Sequence, residues 1–335
     1  MKFLICGIGS IGQRHFRNLI ALGHEAAFFR SGRSNAYHQS FLDTFLDAEK
    51  EEGQDVRMFF RFEDALSSFR PDAVIVSNPN SEHIAIALPS ARAGLHVFIE
   101  KPLSYNMEGI SEMEAVTVNK NLSVMVGYNL RFHPLLRKMK ELSAGGEIGK
   151  IISASIETGE NIEDWHPWED YRKTYAPYKK SGGGVVLCFS HDIDYLYWFL
   201  GYPKKIIALG GKRTPLEGDA DDMIKSVLEF EGGVIASLHL DYWQRPPRRV
   251  FELIGTQGTL IWDYYAKTLT LLFRDPKRET ETIGVPVDFD RNNMFMDEMK
   301  DFIESIEKGR EPAVTLRDGM EVLKMALALK REINF

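Results

Sequence analysis

The sequence predicts two domains: an N-terminal α/β domain built on a parallel sheet, and an α+β C-terminal domain with a large, open, mostly antiparallel sheet. Strand-like apolar runs alternate with helix-like segments over the first 128 residues. Beyond them, pairs of strand-like segments flank short glycine-containing turns, which is the pattern of antiparallel hairpins. The length of 335 residues also suits about two domains.

The N-terminal half contains short apolar runs of the kind that form buried parallel strands. We expect strands at residues 2–6, 25–29, 56–60, 73–76, 97–99 and 122–126. Between them the spacing predicts helices at residues 10–22, 35–52, 62–69, 81–93 and 108–119. Arg70-Pro71 and Gly94 end two of these helices. Such alternation covers a parallel sheet with helices on both faces.

The C-terminal half mixes helices with paired strands. Its expected order is a helix at 134–142, a strand at 151–158, a long ordered loop at 160–183 and a largely apolar helix at 185–200. Two hairpins follow, with strands at 224–229 and 234–242, then at 250–254 and 259–262. A strand at 268–273 is expected at the sheet edge, and helices at 293–308 and 316–332 close the chain. These segments predict a mostly antiparallel sheet with helices on one face.

The first strand runs directly into a G-x-G-x-x-G turn. Gly7 permits the tight turn, Gly9 lets the backbone approach a pyrophosphate, and Gly12 lets helix and strand pack closely. The N–H groups at Ser10 and Ile11 would hold the anion. The alternative is an ordinary strand–helix turn. Because the motif follows a strand and opens a helix, we interpret residues 1–128 as a Rossmann-type dinucleotide-binding domain and 129–335 as a substrate-binding and oligomerisation domain.

The position about 20 residues further on distinguishes NAD from NADP, because NAD-binding domains carry a carboxylate there for the ribose 2′-hydroxyl. This chain has Arg30, Ser31 and Arg33 instead. Guanidinium groups pair with a 2′-phosphate. The segment therefore favours NADP over NAD, with these three residues as ligands. The alternative is that both arginines are solvated loop residues.

The composition excludes several other classes of protein. The chain has 41 basic and 48 acidic residues and a net charge of −7, which argues against nucleic acid as a partner. No stretch approaches the roughly 18 apolar residues of a membrane span. Cys6 and Cys188 lie far apart and form neither a disulfide framework nor a metal-ligand spacing, which favours a reducing cytoplasm and no metal.

Two further motifs carry a family resemblance. They are E-K-P at residues 100–102 and G-Y-N-L-R-F-H-P at residues 127–134. With the glycine turn, they resemble the glucose–fructose oxidoreductase/inositol dehydrogenase (Gfo/Idh/MocA) family over nearly the whole chain. The stretch W-H-P-W-E-D-Y-R at residues 165–172 is similar to a branch associated with sugar metabolism and surface-glycan synthesis. The resemblance implies an NAD(P)-dependent enzyme that transfers a hydride between nicotinamide and a hydroxyl carbon of a sugar, polyol or sugar derivative.

Lys101 is the first acid/base candidate. Oxidising an alcohol needs a group that takes the hydroxyl proton. Lys101 follows a buried strand at the carboxyl edge of the sheet, where ligands bind, and the resemblance implies a catalytic role for this lysine. The alternative is a surface lysine in a turn. Glu100 would orient Lys101 or contact the cofactor.

A second strand end carries further cofactor candidates. By resemblance, Asn78, Pro79 and Asn80 border the nicotinamide, although Asn and Pro are also ordinary turn residues. His83 follows near a helix start. It is a cofactor-binding candidate, with a surface or capping role as the alternative.

His191 is the second acid/base candidate. Glycine-rich residues 182–184 precede it, and the resemblance places the family's catalytic histidine at this position. The family usually has an aspartate one turn earlier, where this chain has Cys188. Asp192 or Asp194 could substitute for it. Asp194, three residues after His191, could share its helix face, whereas Asp192 points elsewhere. Otherwise Lys101 and His191 act without it, or activity is weak.

Aromatic and polar residues near these motifs predict a sugar-binding wall. The substrate-binding candidates are Tyr128, Asn129, Arg131, Trp165, Trp168, Tyr171, Arg172 and His191. Arg172 would clamp a carboxylate or phosphate. The alternative for the 165–178 segment is packing on the sheet or on another subunit.

Two other functions remain open. Relatives of this fold include glycosidases that retain NAD and oxidise transiently, and Cys188 would also suit a dinucleotide-binding regulator without turnover. By analogy with the family, an open sheet in the second domain predicts a homodimer or homotetramer.

Overall fold

The computed structural model of the protein describes residues 1–30, 36–51, 53, 56–165 and 169–333. It divides into two compact units, one formed by residues 1–127 with 295–319 and one by residues 128–294 with 320–335. The sequence did not predict that residues 295–319 return to the first unit.

A parallel sheet forms the centre of the first unit. Its strands are β1 (Lys2–Cys6), β2 (Glu25–Phe29), β3 (Arg57–Phe59), β4 (Ala73–Val76), β5 (His96–Glu100) and β6 (Val124–Gly127). The spatial order is β3-β2-β1-β4-β5-β6, and the pairs are parallel. This is the strand order of a dinucleotide-binding fold, in which ligands bind at the carboxyl ends of the strands. The predicted α/β class is therefore confirmed.

Helices connect these strands. They are α1 (Ser10–Ala21), α2 (Ala36–Glu51), α3 (Phe62–Asp64, followed by a π-helical turn at Ala65–Phe69), α4 (His83–Arg92, preceded by a 3₁₀ turn at Asn80–Glu82) and α5 (Ile110–Asn119). The predicted helix at 81–93 thus begins as a 3₁₀ turn. Every residue of β4 is buried, which explains its uninterrupted apolar sequence.

The second unit contains the larger sheet. Its strands are β7 (Ile151–Gly159), β8 (Lys205–Gly211), β9 (Met223–Glu229), β10 (Ile235–Asp241), β11 (Arg248–Gly255), β12 (Gly258–Asp263), β13 (Thr268–Phe273) and β14 (Glu281–Gly284). Their order is β14-β13-β12-β11-β7-β10-β9-β8. Among the described strands β7 and β10 pair in parallel, while the other neighbours are antiparallel.

Both predicted hairpins are confirmed, since β9 pairs with β10 and β11 with β12. The expected edge position of 268–273 was wrong, because the short polar strand β14 pairs on its outer side. The sequence analysis also missed β8 at the opposite edge.

The described residues of the chain's second half also form helices and a short 3₁₀ turn at Asn129–Phe132. The five helices among these described residues are α6 (Pro134–Ala144), α7 (Val185–Cys188), α8 (Ser190–Leu200), α9 (Arg291–Lys308) and α10 (Leu316–Ile333). The expected continuous helix at 185–200 is interrupted at Phe189, whose φ of −94° and ψ of 31° are not helical. The predicted loop at 160–183 contains three short 3₁₀ turns, at Ile162–Asp164, Tyr171–Lys173 and Lys179–Ser181.

One face of the large sheet is exposed. Burial alternates along β8, β9 and β10, and the outward positions include large apolar side chains. Leu209 is 70% exposed, Ile207 54% and Val227 50%. Ile207 lies directly opposite Val227 in the register, so these side chains form part of one surface.

The helices within the described ranges fall short of the length and apolar character that a membrane crossing would require.

Candidate active site

The glycine turn after β1 packs tightly on one side and is open on the other. Gly7 has a φ of +113°, and a Cβ there would lie 2.6 Å from the backbone of Ser77. A Cβ on Gly12 would lie 2.0 Å from the carbonyl oxygen of Gly7. Ser77 Oγ secures the turn by donating to the carbonyls of Cys6 and Gly7, both at 3.1 Å. Glycine is therefore required at both positions.

The open side of this turn suits a pyrophosphate. A Cβ on Gly9 would meet no described atom within 4 Å, and Gly9 and Ser10 are exposed while Ile11 is half-buried. No side chain of the described residues caps the start of α1. The first N–H groups of α1 therefore remain available to an anion, as the dinucleotide interpretation requires.

Arg30 lies at the end of β2, where a dinucleotide-binding domain contacts the adenosine ribose. It is half-buried, and its backbone N–H donates to the carbonyl of Phe59 at 2.9 Å. Ser31 and Arg33, the other two residues expected to bind a 2′-phosphate, lie outside the described residues.

Glu100 and Lys101 lie at the carboxyl end of β5, as the sequence predicted. The Lys101–Pro102 peptide bond is cis. Glu100 Oε1 lies 2.7 Å from His15 Nε2, and Glu100 Oε2 accepts the backbone N–H of Lys101 at 3.2 Å. Lys101 is half-buried. The E-K-P segment thus reaches the same sheet edge as the glycine turn.

His83 is buried between two strand-end loops. Its Nε2 lies 2.9 Å from the carbonyl oxygen of Asn78, and its Nδ1 lies 2.8 Å from that of Pro102. Burial lowers the pKa of His83. Because both ring nitrogens face backbone carbonyls, His83 joins the loops that follow β4 and β5, and the expected contact with cofactor stays a prediction.

The three residues before His83 differ in accessibility. Pro79 is exposed, Asn78 is half-buried and Asn80 is 3% exposed. The side chain of Asn78 donates to Glu82 at 3.4 Å. Pro79 and Asn78 are thus the more accessible of the predicted cofactor contacts at this strand end.

In the second unit, the glycine-rich segment before His191 is fixed by Asp221. A Cβ on Gly184, which has a φ of +106°, would lie 2.5 Å from Asp221 Oδ1. Asp221 Oδ2 accepts the N–H of Val186 at 3.0 Å, and Oδ1 accepts from Lys330 Nζ at 2.6 Å. These bonds hold the start of α7, which leads to α8.

His191 lies in the first turn of α8 and is half-buried. Its ring packs edge-to-face on Tyr128, with centroids 5.7 Å apart. Cys188 is 3% exposed and lies beside the hydroxyl of Tyr242. Burial raises the pKa of Tyr242 far above its ordinary value, and the neighbouring Cys188 thiol adds to the shift. A buried thiol beside a phenol hydroxyl therefore occupies the position where the family usually has a carboxylate.

Asp194 does not take over the missing carboxylate's place. It is 1% exposed and forms a bidentate ion pair with Arg131, with Asp194 Oδ1 2.7 Å from Arg131 Nη2. Arg131, expected to bind substrate, is itself 5% exposed. The two predicted site residues therefore neutralise each other and attach the Asn129–Phe132 turn to α8.

Asp192, the other carboxylate of this helix turn, is likewise bonded to protein. It accepts from Thr158 Oγ1 at 2.6 Å and from the hydroxyl of Tyr195, and Arg249 Nη2 lies 3.4 Å away. It is 0% exposed.

The predicted substrate wall is only partly accessible. Trp165 is half-buried and packs on Phe189 and Tyr242, with centroids 5.5 and 5.2 Å apart. Tyr128 is 0% exposed and Asn129 6%. Trp168 lies outside the described residues.

Arg172 is half-exposed and already paired. Its guanidinium donates to Asp170 at 2.8 and 2.9 Å and to Glu217 at 3.1 Å. These carboxylates raise the pKa of Arg172 above its ordinary range. The hydroxyl of Tyr171 accepts the Glu217 N–H at 3.0 Å. A substrate anion would have to displace two carboxylates, which weakens the expected clamp.

Models of known protein families match both halves of the chain. A model described as the oxidoreductase family with an NAD-binding Rossmann fold matches residues 1–128. A model described as the GFO/IDH/MocA C-terminal domain matches residues 136–261. The chain belongs to the GFO/IDH/MocA family. It is thus an NAD-binding oxidoreductase of that family, and the resemblance stated from its motifs is confirmed.

Named relatives share both the length and the fold of this GFO/IDH/MocA protein. The chain is 25% identical over 350 residues to myo-inositol 2-dehydrogenase of Thermotoga maritima, covering 100% of this chain and 96% of that protein. Levoglucosan dehydrogenase in complex with NADH and levoglucosan superimposes with a TM-score of 0.86 at 19% identity, covering 99% of this chain and 96% of that one. The WlbA dehydrogenase from Bordetella pertussis, in complex with NADH and UDP-GlcNAcA, gives 0.81 at 19% identity and covers 99% and 96%.

Sequence reasoning missed two residues that organise the site of this family member. His15 bonds Glu100 from 85 positions away, and Asp221 secures the glycine-rich segment from 35 positions away. The helical spacing of α1 places position 15 inward, but no local pattern indicates its partner. Sequence separation therefore hid both contacts.

Proposed function

We propose that this protein transfers a hydride between a nicotinamide dinucleotide and a hydroxyl-bearing carbon of a sugar, polyol or sugar derivative. The main observation behind the proposal is that the open glycine turn at Gly9 and the acid/base candidate Lys101 follow strands that end at the same carboxyl edge of one parallel sheet. Of the relatives named above, one is an inositol dehydrogenase, one is a levoglucosan dehydrogenase and one is a dehydrogenase that binds a nucleotide sugar. These names support this substrate class.

The residues fit a dinucleotide, since the glycine turn leaves room for a pyrophosphate and offers uncapped N–H groups. The bound nicotinamide would supply the hydride acceptor or donor. Lys101 and His191 are the proposed acid/base groups for the hydroxyl proton, each half-buried and held by backbone or ring contacts. Asn78, Pro79 and Glu100 would border the nicotinamide.

We propose NADP as the preferred cofactor. Arg30 at the end of β2 supports this preference, because a guanidinium there suits a 2′-phosphate. NAD is the competing cofactor, because the family model is described as NAD-binding and both structural relatives are complexes with NADH.

We also propose that residues 1–128 act as the dinucleotide-binding domain and residues 129–335 as the substrate-binding domain of a cytoplasmic homo-oligomer. The exposed apolar positions on β8 and β9 support pairing of this sheet between subunits. Light scattering that gives the mass of a single 38.2 kDa chain would contradict the oligomer.

A dinucleotide-binding regulator is the second candidate. The observation that favours it is Cys188, buried beside Tyr242 at the position where the family usually has a carboxylate. A regulator would bind cofactor and oxidise none of the compounds tested.

Fluorescence titration with NADPH and NADH, followed by absorbance assays, tests these proposals. The panel would contain myo-inositol, levoglucosan, UDP-N-acetylglucosamine and their oxidised forms. Turnover of one class supports the enzyme and identifies its substrate, whereas at least tenfold tighter NADH than NADPH binding would reject the NADP preference. Binding without turnover favours the regulator, and Cys188→Asp then tests whether a restored carboxylate brings turnover.

A further inference from the structure

A buried histidine on the phosphate-binding helix contacts the segment that carries Lys101. His15 lies on α1, three residues after Gly12, and is 0% exposed. Its Nε2 is 2.7 Å from Glu100 Oε1, and the Glu100 side chain is 12% exposed. The contact joins the helix that opens at the glycine turn to the end of β5.

The other oxygen of Glu100 faces Lys101. Oε2 accepts the backbone N–H of Lys101 at 3.2 Å. Glu100 lies opposite Gly127 in the register of β5 and β6, and a Cβ on Gly127 would lie 3.2 Å from Glu100 Oε2. The carboxylate therefore fits a narrow space in which one oxygen meets His15 and the other meets the backbone of Lys101.

The surroundings of His15 fix the direction of its hydrogen bond. Its Nδ1 is buried and makes no hydrogen bond to the described residues, so Nε2 must carry a proton and donate it to the carboxylate. Phe98 and Phe295 pack edge-to-face on the ring, with centroids 5.1 and 6.3 Å away. These rings restrict rotation of the imidazole away from Glu100.

We propose that His15 is a positioning residue for Lys101, acting through Glu100. The inference rests on the proposed function, because it assigns His15 a role in the placement of that lysine. His15 is too deeply buried to touch the cofactor, and its donated hydrogen bond keeps the Glu100 carboxylate in the orientation that holds the Lys101 backbone. Loss of the donor leaves a buried carboxylate free to turn and the lysine displaced.

Two substitutions of His15 separate positioning from packing. His15→Phe keeps a planar ring in the cavity and removes the donor, whereas His15→Gln restores an N–H near the position of Nε2. The matched control is His96→Gln, because His96 lies at the opposite end of the same strand and accepts the Ser123 N–H at 2.9 Å.

Turnover of the panel compound that the wild type oxidises gives the first readout. For His15→Phe we expect kcat to fall about tenfold to hundredfold, the effect of losing one buried hydrogen bond to a charged group. The Kd for NADH, measured by fluorescence, should stay within about threefold, and His15→Gln should recover most of kcat. Unchanged kcat in His15→Phe would overturn the proposal, as would an equal loss in His96→Gln or a parallel loss of NADH binding.

Amide hydrogen exchange gives a second readout that needs no substrate. In His15→Phe the Lys101 amide should exchange at least about tenfold faster than in the wild type, while residues 97–99 of β5 stay protected. His96→Gln should leave the Lys101 amide unchanged. If the wild type oxidises no compound, the proposed function fails while this comparison still decides the role of His15. An unchanged Lys101 amide in His15→Phe would reject that role. If His15→Phe does not fold, His15→Leu, which also removes the donor, takes its place in the same measurement, with the same two outcomes.

Discussion

The two units of the chain hold their candidate functional residues in different ways. In the first unit, the glycine turn and the E-K-P segment lie at one edge of one sheet, because both follow strands whose carboxyl ends point the same way. In the second unit, Asp194, Arg131 and Arg172 were expected to face substrate and are instead paired with other protein charges. Motifs built on backbone geometry can be located from local sequence, whereas the partner of a charged side chain cannot.

Substitutions of Lys101 and His191 test the proposed acid/base residues and have the largest expected effect. Lys101→Met should lower kcat by about 10²- to 10⁴-fold, because a positioned acid/base group contributes that much. Steady-state assays on the identified substrate measure it, with exposed Lys120→Met as the control. His191→Asn should lower kcat within the same range. Retention of kcat within about threefold in either variant would remove that residue from the proposed chemistry.

Substitution in the Arg131–Asp194 ion pair tests whether these buried charges stabilise the fold. Asp194→Ala leaves a guanidinium that is 5% exposed without its carboxylate, so we expect the free energy of unfolding to fall by about 3–5 kcal/mol. Urea unfolding at pH 7 measures this change. The control is Glu141→Ala, which removes the exposed partner of Lys138 and should leave stability nearly unchanged. Equal effects of the two substitutions would contradict the distinction between buried and exposed pairs.

His133 adds a pH dependence to the second unit. Burial lowers the pKa of His133 to about 4, and Trp262 and Phe289 pack on its ring with centroids 5.2 Å away. Because the unfolded chain binds this proton more readily, stability falls as the pH drops from about 6.5 towards 4, by up to about 3 kcal/mol. The difference between the unfolding free energies of wild type and His133→Phe, followed across that range, isolates the contribution. Parallel curves for the two proteins would show that His133 does not titrate there.

Gly9 provides the smallest and most local test. A Cβ at this position meets no described atom within 4 Å, so Gly9→Ala should keep the melting temperature of the wild type. The same Cβ would obstruct the approach of a pyrophosphate, and we expect the Kd for NADH or NADPH to rise about tenfold. Gly284→Ala is the matched control, since its added Cβ is equally unobstructed. Wild-type affinity in Gly9→Ala would place the phosphates elsewhere.

Much of the fold followed from the sequence for identifiable reasons. Buried strands such as β4 are continuous apolar runs, and glycine-containing turns mark the β9–β10 and β11–β12 hairpins. The short polar strand β14 gave no such signal, and β8 contains two glycines that weaken the pattern. The break at Phe189 lies within an apolar run that reads as one helix.

The site was predictable only where chemistry and backbone conformation coincide. Gly7 and Gly12 are dictated by contacts within a few residues or with the adjacent strand, and their spacing revealed them. His83 was identified as a candidate, but its contacts with the carbonyls of Asn78 and Pro102 depend on how two loops fold. The His15–Glu100 bond spans 85 residues, and nothing in either local segment predicts it.

The return of residues 295–319 to the first unit bears on how this protein could be divided or recombined. Val126 of β6 donates its N–H to the carbonyl of Val314 at 3.2 Å, and Met125 bridges to Thr315. A fragment ending at residue 128 would expose these backbone groups along an open strand edge, which invites association with other chains. The first unit is therefore built from two separate stretches of the chain. An exchange that transplants it intact must carry two separate stretches of coding sequence.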